Sequence, residues 1–338
     1  MVINPPSLCR KICSNVADFF LRKKEPGFKK PPLSFGDQAK LLLSRGLIAD
    51  ENELTHALTQ INYYRLSGYL YPFKREGEEN FVDGVTLHEI RDRYLLDKKL
   101  RLLIFDAIEI IEISILRSRL VEYFALKYGT FCYTEAKNFK DREHSPPSFH
   151  DDLLRSAKDI LGSNIDYINR YKEHYPDSKH IPFWMLVEKM TFGELSRFLG
   201  NMRRADRIDL ANQFDIPYGI FVSWMHAIAH VRNLCAHHER LWNRYISVTP
   251  KIPDYKNLPE FHKPVNISKA KSKIFPTVVV IQFLLNKIDP MNDWGRRLNT
   301  LINGYVHLPI RKIGFPENWR QQAFFGLIKD DEPESHPL

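Results

Sequence analysis

The chain has 338 residues and is 43% hydrophobic, enough to bury a sizeable core in one main domain with smaller attachments at either end. Its net charge of +8 favours an acidic partner, with nucleic acid and anionic membrane surface as the leading classes. The composition excludes more than it names. No stretch approaches the ~20 apolar residues of a membrane span, residues 1–24 lack the apolar run of a secretory signal, and Cys9, Cys13, Cys132 and Cys235 include no CxxC spacing. A disulfide framework is therefore not expected, two neighbouring thiols do not make a zinc site, and a reduced, cytoplasmic setting is.

Residues 1–32 form a basic lead segment, with Arg10, Lys11, Arg22, Lys23, Lys24, Lys29 and Lys30 against Asp18 and Glu25. It reads as a solvated tail or an arm that touches phosphates. The next stretch, "SFGDQAKLLLSRGLI", has a capping-type Ser34 and a stop at Gly46, which predicts a helix. "ENELTHALTQINYYRLSGYLYPFK" predicts one or two more, ending in aromatics (Tyr63, Tyr64, Tyr69, Tyr71, Phe73) that suit a core better than a base-stacking platform. From Thr86 to about Lys127 a long helix carries no Gly or Pro, its apolar residues recurring at Leu96, Leu100, Leu103, Ala107, Ile111 and Ile115, with a break allowed near Lys98. "KNFKDREHSPPSFH" is a polar connection. Helical patterns follow at 150–174, at 182–202 as one helix opened by Pro182, and in a short piece around 204–212. A helix starting after Pro217 continues through residue 244. Residues 251–268 are a proline-bearing loop, followed by helices at about 269–287 and 292–303 and a short aromatic tail. No convincing strand pattern occurs, so the fold class is all-α.

One stretch stands apart: "HAIAHVRNLCAHHERLWNR", residues 226–244. On a helical wheel at ~100° per residue, His226, His230, Asn233, His237, Arg240 and Arg244 fall within about 80° of one another, with Arg232 on the flank. Trp224, Ile228, Val231, Cys235 and Trp242 gather opposite. A solvated helix face is normally Glu, Lys and Gln. This stripe instead holds groups that bind phosphate, transfer protons near neutral pH and orient neighbours.

Arg232-Asn233-x3-His237 resembles the R-x4-6-H signature of HEPN-type ribonucleases. More widely, residues from about 33 to 247 resemble the Abi family of bacterial abortive-infection proteins. The resembling pieces are "LSFGDQAKLLLSRGL", "INYYRLSGYLYPF", "IEIIEISILRSRL", "PFWMLVEKMTFGELSRFL" and "VRNLCAHHERLWNR", in the family's order. The resemblance implies a HEPN-like helical bundle that binds RNA and, in many relatives, cuts it. It also implies phage-defence, toxin-like behaviour, assembly as a homodimer, and a small structured RNA as a restraining partner in some members. The corresponding organisation is a lead segment 1–32, an N-terminal helical region 33–80, a HEPN-like core 81–250 and a C-terminal helical extension 251–338.

Metal-independent RNA cleavage needs a base for the 2′-hydroxyl proton, an acid for the leaving 5′-oxygen, and positive charge on the phosphorane. His237 suits proton transfer. Arg232, always protonated, suits phosphate binding, and Asn233 can orient the imidazole or bond a phosphate oxygen. His238 also satisfies the looser spacing but points ~100° away from His237. With a single Arg-x4-His motif in the chain, a composite dimer site supplies the second histidine, and His230 is the alternative within one chain. Glu112 and Arg119 share a face of the long helix, where Glu112 either orients Arg232 or a histidine or serves a structural ion pair. Arg117, Arg119, Arg203, Arg204, Arg240 and Arg244 are candidates to meet RNA. No metal or other cofactor is expected: the His226/His230 spacing would suit zinc, but no HExxH or nearby carboxylate supports it. The competing readings are a non-catalytic RNA-binding module and a protein-interaction domain.

Overall fold

Local chemistry sets most helix starts. In the computed structural model, which describes residues 31–140, 148–253, 258, 261, 272–321 and 325, helix α1 (Phe35–Ser44) begins where the Ser34 hydroxyl accepts from the Asp37 N–H. Helix α2 (Glu51–Ile61) begins where the Asp50 carboxylate accepts from the Glu53 N–H, and α3 spans Tyr63–Leu70. The lead segment through Lys30, with Cys9 and Cys13, lies outside the described residues, as do parts of the polar connection, of the 251–268 loop and of the tail.

The chain divides into two units, Met1–Arg65 with Phe73–Val85, and Leu66–Pro72 with Thr86–Leu338. In the first, α1 and α2 pack together, burying Ala39, Leu42, Leu54 and Leu58. Of the five aromatics expected in a core, Tyr69 is buried, whereas Tyr64 and Tyr71 are 89% and 72% exposed.

The second unit is built on the long helix. Helix α4 (Leu87–Ile111) is capped by Thr86, passes Lys98 without interruption, and runs into a π-helical stretch, Glu112–Arg119, before resuming as α5 (Leu120–Tyr128). The helical pattern at 150–174 is two helices, α6 (Phe149–Leu161) and α7 (Asp166–His174). The expected single helix at 182–202 is also two. Helix α8 (Phe183–Val187) stops, and the Thr191–Glu194 capping box, in which each side chain accepts from the other's backbone N–H, starts α9 (Phe192–Asn201). Helices α10 (Arg204–Asn212), α11 (Tyr218–Ala236), α12 (Phe275–Ile288) and α13 (Trp294–Asn303) complete the set. The architecture is all-α, and among the described residues strand-like pairing is confined to isolated bridges such as Lys74–Phe81 and Phe139–Met202.

Helix α11 is central to this unit. It packs against α4, α9, α10 and α12, with Phe221, Trp224, Ile228 and Val231 fully buried. Helix α12 is buried at every position from Phe275 to Leu285 and packs on both α4 and α11, so the family-like segment and the C-terminal region share one apolar core.

Candidate functional site at the end of helix α11

Helix α11 does not continue to residue 244. It ends at Ala236, with His237 as its C-cap and His238 in the left-handed region at φ 56°. The His238 N–H donates to the Cys235 carbonyl (3.0 Å) and the Glu239 N–H to the Leu234 carbonyl (2.8 Å), the paired bonds of a Schellman ending. Histidine stands where glycine is usual. The long wheel therefore needs correcting: His226, His230 and Asn233 do share the helix face, but Arg240 and Arg244 lie on the chain that follows the turn.

A buried carboxylate explains why the chain turns there. Asp97 of α4 is fully buried and accepts from the N–H groups of Leu241 (3.0 Å) and Trp242 (2.7 Å) and from the Tyr69 hydroxyl (2.6 Å), and it pairs with Arg101 one turn along. Arg101 also reaches the Glu239 carbonyl at 3.4 Å. Burial pushes the Asp97 carboxyl up, and Arg101, the Tyr69 hydroxyl and the two N–H groups pull it back. With four donors aimed at it, the ionised form is the one this geometry holds. Burial, next to the same carboxylate, pushes the Tyr69 phenol up, keeping it a donor. These are the residues that sequence reasoning missed. The available signal was an Asp and an Arg at i, i+4 among Leu96, Leu100 and Leu103, since a charge on an apolar face needs partners.

On this platform the side chains of Arg232, Asn233 and His237 make no hydrogen bond or ion pair among the described residues. The Arg232 guanidinium lies over the Phe105 ring at 5.5 Å, and its Nε is buried and unbonded. Asn233 and His237 are exposed, and their side chains make no hydrogen bond among the described residues. His238 is exposed too, one residue further round the turn. Cys235, inside the motif, is buried, and its thiol is pushed up to about 12 by that burial, so it is no nucleophile at neutral pH.

The other candidates scatter. Glu112 does not orient Arg232 or a histidine: its carboxylate is taken by Arg117 at 2.5 Å, and Arg117 also donates to the Val187 and Met190 carbonyls, the latter at 2.7 Å. Arg117 is a clamp between the π-helical stretch and the α8–α9 turn rather than a free cation. Arg119 is not the partner of Glu112 either, and lies over the Phe214 ring at 4.7 Å. Arg244 pairs with Glu239 at 2.7 Å. Arg240 lies over Tyr69 at 5.8 Å, with its Nη1 buried and unbonded. Arg203 and Arg204 are exposed, and Arg204 stacks on Tyr218 at 5.6 Å. Tyr218 opens α11, so these two stand at the opposite end of that helix from His237, about 27 Å away at 1.5 Å per residue.

His230 is half-buried, its Nε2 3.5 Å from the Ser247 hydroxyl. Burial, then the nearby Arg244 charge, holds its pKa below the ordinary histidine value, against a smaller upward pull from Glu239. Among the described residues no group of three His, Cys, Asp or Glu side chains is placed to hold a metal ion.

The described residues thus form an all-helical bundle that carries Arg232, Asn233 and His237, with no hydrogen bond to their side chains among those residues, at the end of a buried helix. The chain matches the Abi-like protein family over residues 56–243, more than half its length, and belongs to that family. Membership points to a role in abortive infection, a form of phage defence. No curated protein and no solved structure matches the chain. Among the described residues no helix is long and apolar enough to cross a membrane.

Proposed function

We propose that this Abi-like protein is a HEPN-type RNA-binding protein that works in the cytoplasm and cleaves RNA by metal-independent transesterification. The reading rests on one observation: Arg232, Asn233 and His237 stand at a single helix end, and none of their side chains makes a hydrogen bond or ion pair among the described residues. Polar groups of a fold are ordinarily satisfied internally or by water. A guanidinium with a buried, unbonded Nε, on the same helix end as an exposed imidazole and amide, suits an anion that arrives from outside.

In this reaction the ribose 2′-oxygen attacks the adjacent phosphorus as its proton passes to a base. The P–O5′ bond then breaks as an acid returns a proton to the 5′-oxygen, giving a 2′,3′-cyclic phosphate and a 5′-hydroxyl. His237 carries one proton transfer. Arg232 neutralises the phosphorane, and Asn233, one turn before His237, orients the imidazole or a phosphate oxygen. His230 lies seven residues back, about 10 Å along the axis, and is engaged with Ser247. The second imidazole therefore comes from the His237 of a second protomer in a homodimer. His238, turned away by its left-handed backbone, is a supporting residue. Arg203 and Arg204, at the far end of α11, extend the track for a longer RNA, and a small structured RNA is the natural restraint on such an activity.

The test incubates the full chain with single-stranded RNA in EDTA and maps the new ends. Wild type is expected to leave 2′,3′-cyclic phosphate and 5′-hydroxyl termini. His237→Ala should lose at least ~10²-fold in rate while keeping its RNA affinity, and His238→Gly should lose far less. Products bearing 5′-phosphates, or a His237→Ala protein as fast as wild type, would refute the mechanism. RNA binding without new ends would leave the non-catalytic reading in its place.

A further inference from the structure

The strongest unexplained feature lies where the chain leaving the motif meets the C-terminal region. Arg240 follows the α11 turn and approaches Gly68 so closely that a Cβ there would sit 3.4 Å from Arg240 Nη1. That Nη1 is buried and unbonded, and among the described residues the guanidinium meets no carboxylate. Three residues on, the Asn243 side chain accepts from Lys273 Nζ at 3.3 Å. The Ile246 N–H donates to the Ser272 carbonyl at 2.8 Å, fixing the two segments side by side. Gly314, at φ 104°, packs directly on the Lys273 side chain, and Lys312, exposed and without a partner among the described residues, stands two positions before it.

We propose that Arg240, Lys273 and Lys312 form a binding site for a backbone phosphate of the RNA, adjoining the motif and completed by residues beyond the family-like segment. The proposal rests on the RNA-binding reading above and adds a named subsite to it. The Asn243 and Gly314 contacts bring the segments that carry Arg240 and Lys312 to Lys273, and among the described residues no carboxylate pairs with any of the three cations, so their mutual repulsion stands until an anion enters. The strain registers on Lys273, whose ammonium is held below its ordinary value by partial burial and by the charges of Lys312 and Arg240. By contrast, Arg117, Arg244 and Lys127 each have a carboxylate within 2.7 Å. Asn243 fixes the Lys273 amine, and stacking on Tyr69 fixes Arg240, so two donors are pre-organised before the phosphate arrives. Family similarity ends at residue 243, so Lys273 and Lys312 are contributions of this chain's own C-terminal region.

The experiment measures binding of a 5′-fluorescein single-stranded RNA to the full chain by anisotropy across a salt series, in the His237→Ala background so that the probe stays intact. Each phosphate contact to a single strand contributes about −0.7 to the slope of log K against log salt. Lys273→Gln/Lys312→Gln should flatten the slope by about 0.7, the share of the one phosphate lost, and weaken binding at least ~10-fold at low salt. Adding Arg240→Gln should lower the affinity further with little additional change in slope. The double lysine variant changes only partly or fully exposed side chains, so it reads the site even if the Arg240 variant misfolds. A double variant with wild-type slope and affinity overturns the inference while leaving cleavage at His237 untouched. A flattened slope in a protein that never cuts upholds the subsite and removes the nuclease.

Discussion

Replacing Asp97 by alanine tests the account of why the motif helix ends where it does. The substitution strands Arg101, itself only 5% exposed, as a buried charge, which costs about 3–5 kcal/mol when one partner of a buried pair is removed. It also orphans the N–H groups of Leu241 and Trp242 and the Tyr69 hydroxyl. Unmet buried donors cost about 1–3 kcal/mol each in isolation, but these four share one acceptor and their losses do not add. A total of about 5 kcal/mol is therefore expected, much of the ~5–15 kcal/mol that typically holds a domain together. All five tryptophans (Trp184, Trp224, Trp242, Trp294, Trp319) lie in the second unit, so a guanidinium titration followed by tryptophan fluorescence reports on that unit alone. Asp97→Leu with Arg101→Met removes both charges at similar volume and should recover about half of the loss, since the Leu241 and Trp242 N–H groups stay unmet. A single-variant loss below about 1 kcal/mol, or a double variant no more stable than the single, would refute the claim that this carboxylate holds the turn.

Three further outcomes follow from the same structure. Gly314→Ala places a Cβ into the Lys273 side chain and an L-residue at φ 104°, so a destabilisation of about 2–4 kcal/mol is expected in the same titration, and a neutral result would mean the turn is free to move. Arg117→Met leaves the largely buried Glu112 carboxylate and the Val187 and Met190 carbonyls without their donor, for a loss of about 3 kcal/mol; a loss under ~1 kcal/mol would show that solvent replaces the clamp. For His230 the sign is fixed by its lowered pKa. The unfolded chain takes up this proton more readily than the folded one, so its contribution is intact above the ordinary histidine value near ~6.5 and is lost as pH falls through and below it. Melting temperatures compared at pH ~7 and ~5 should fall less for His230→Gln than for wild type, and equal falls would contradict the assignment.

Much of the fold was legible because it is written in local chemistry. Ser34, Thr86 and Pro217 announced their helices, and the 3.6-residue period exposed the long α4 helix and the buried face of α11. The reading of 182–202 as one helix failed because Met190, apolar and buried, fitted the pattern while the Thr191–Glu194 capping box was overlooked as a start signal. The aromatic cluster near Tyr69 divided between core and surface, since aromatic type alone does not say which side of a short helix faces inward.

The site shows the same division more sharply. The residue types of the motif, and the shared face of His226, His230 and Asn233, follow from sequence spacing, because helix periodicity is a local property of the chain. That the helix stops at Ala236, that Arg117 also clamps the Val187 and Met190 carbonyls, and that Asn243 meets Lys273 were decided by groups distant in sequence. A carboxylate at position 97 that captures N–H groups at 241 and 242 outweighs the local preference for another helical turn, because a charge buried away from water must find its donors wherever the fold brings them.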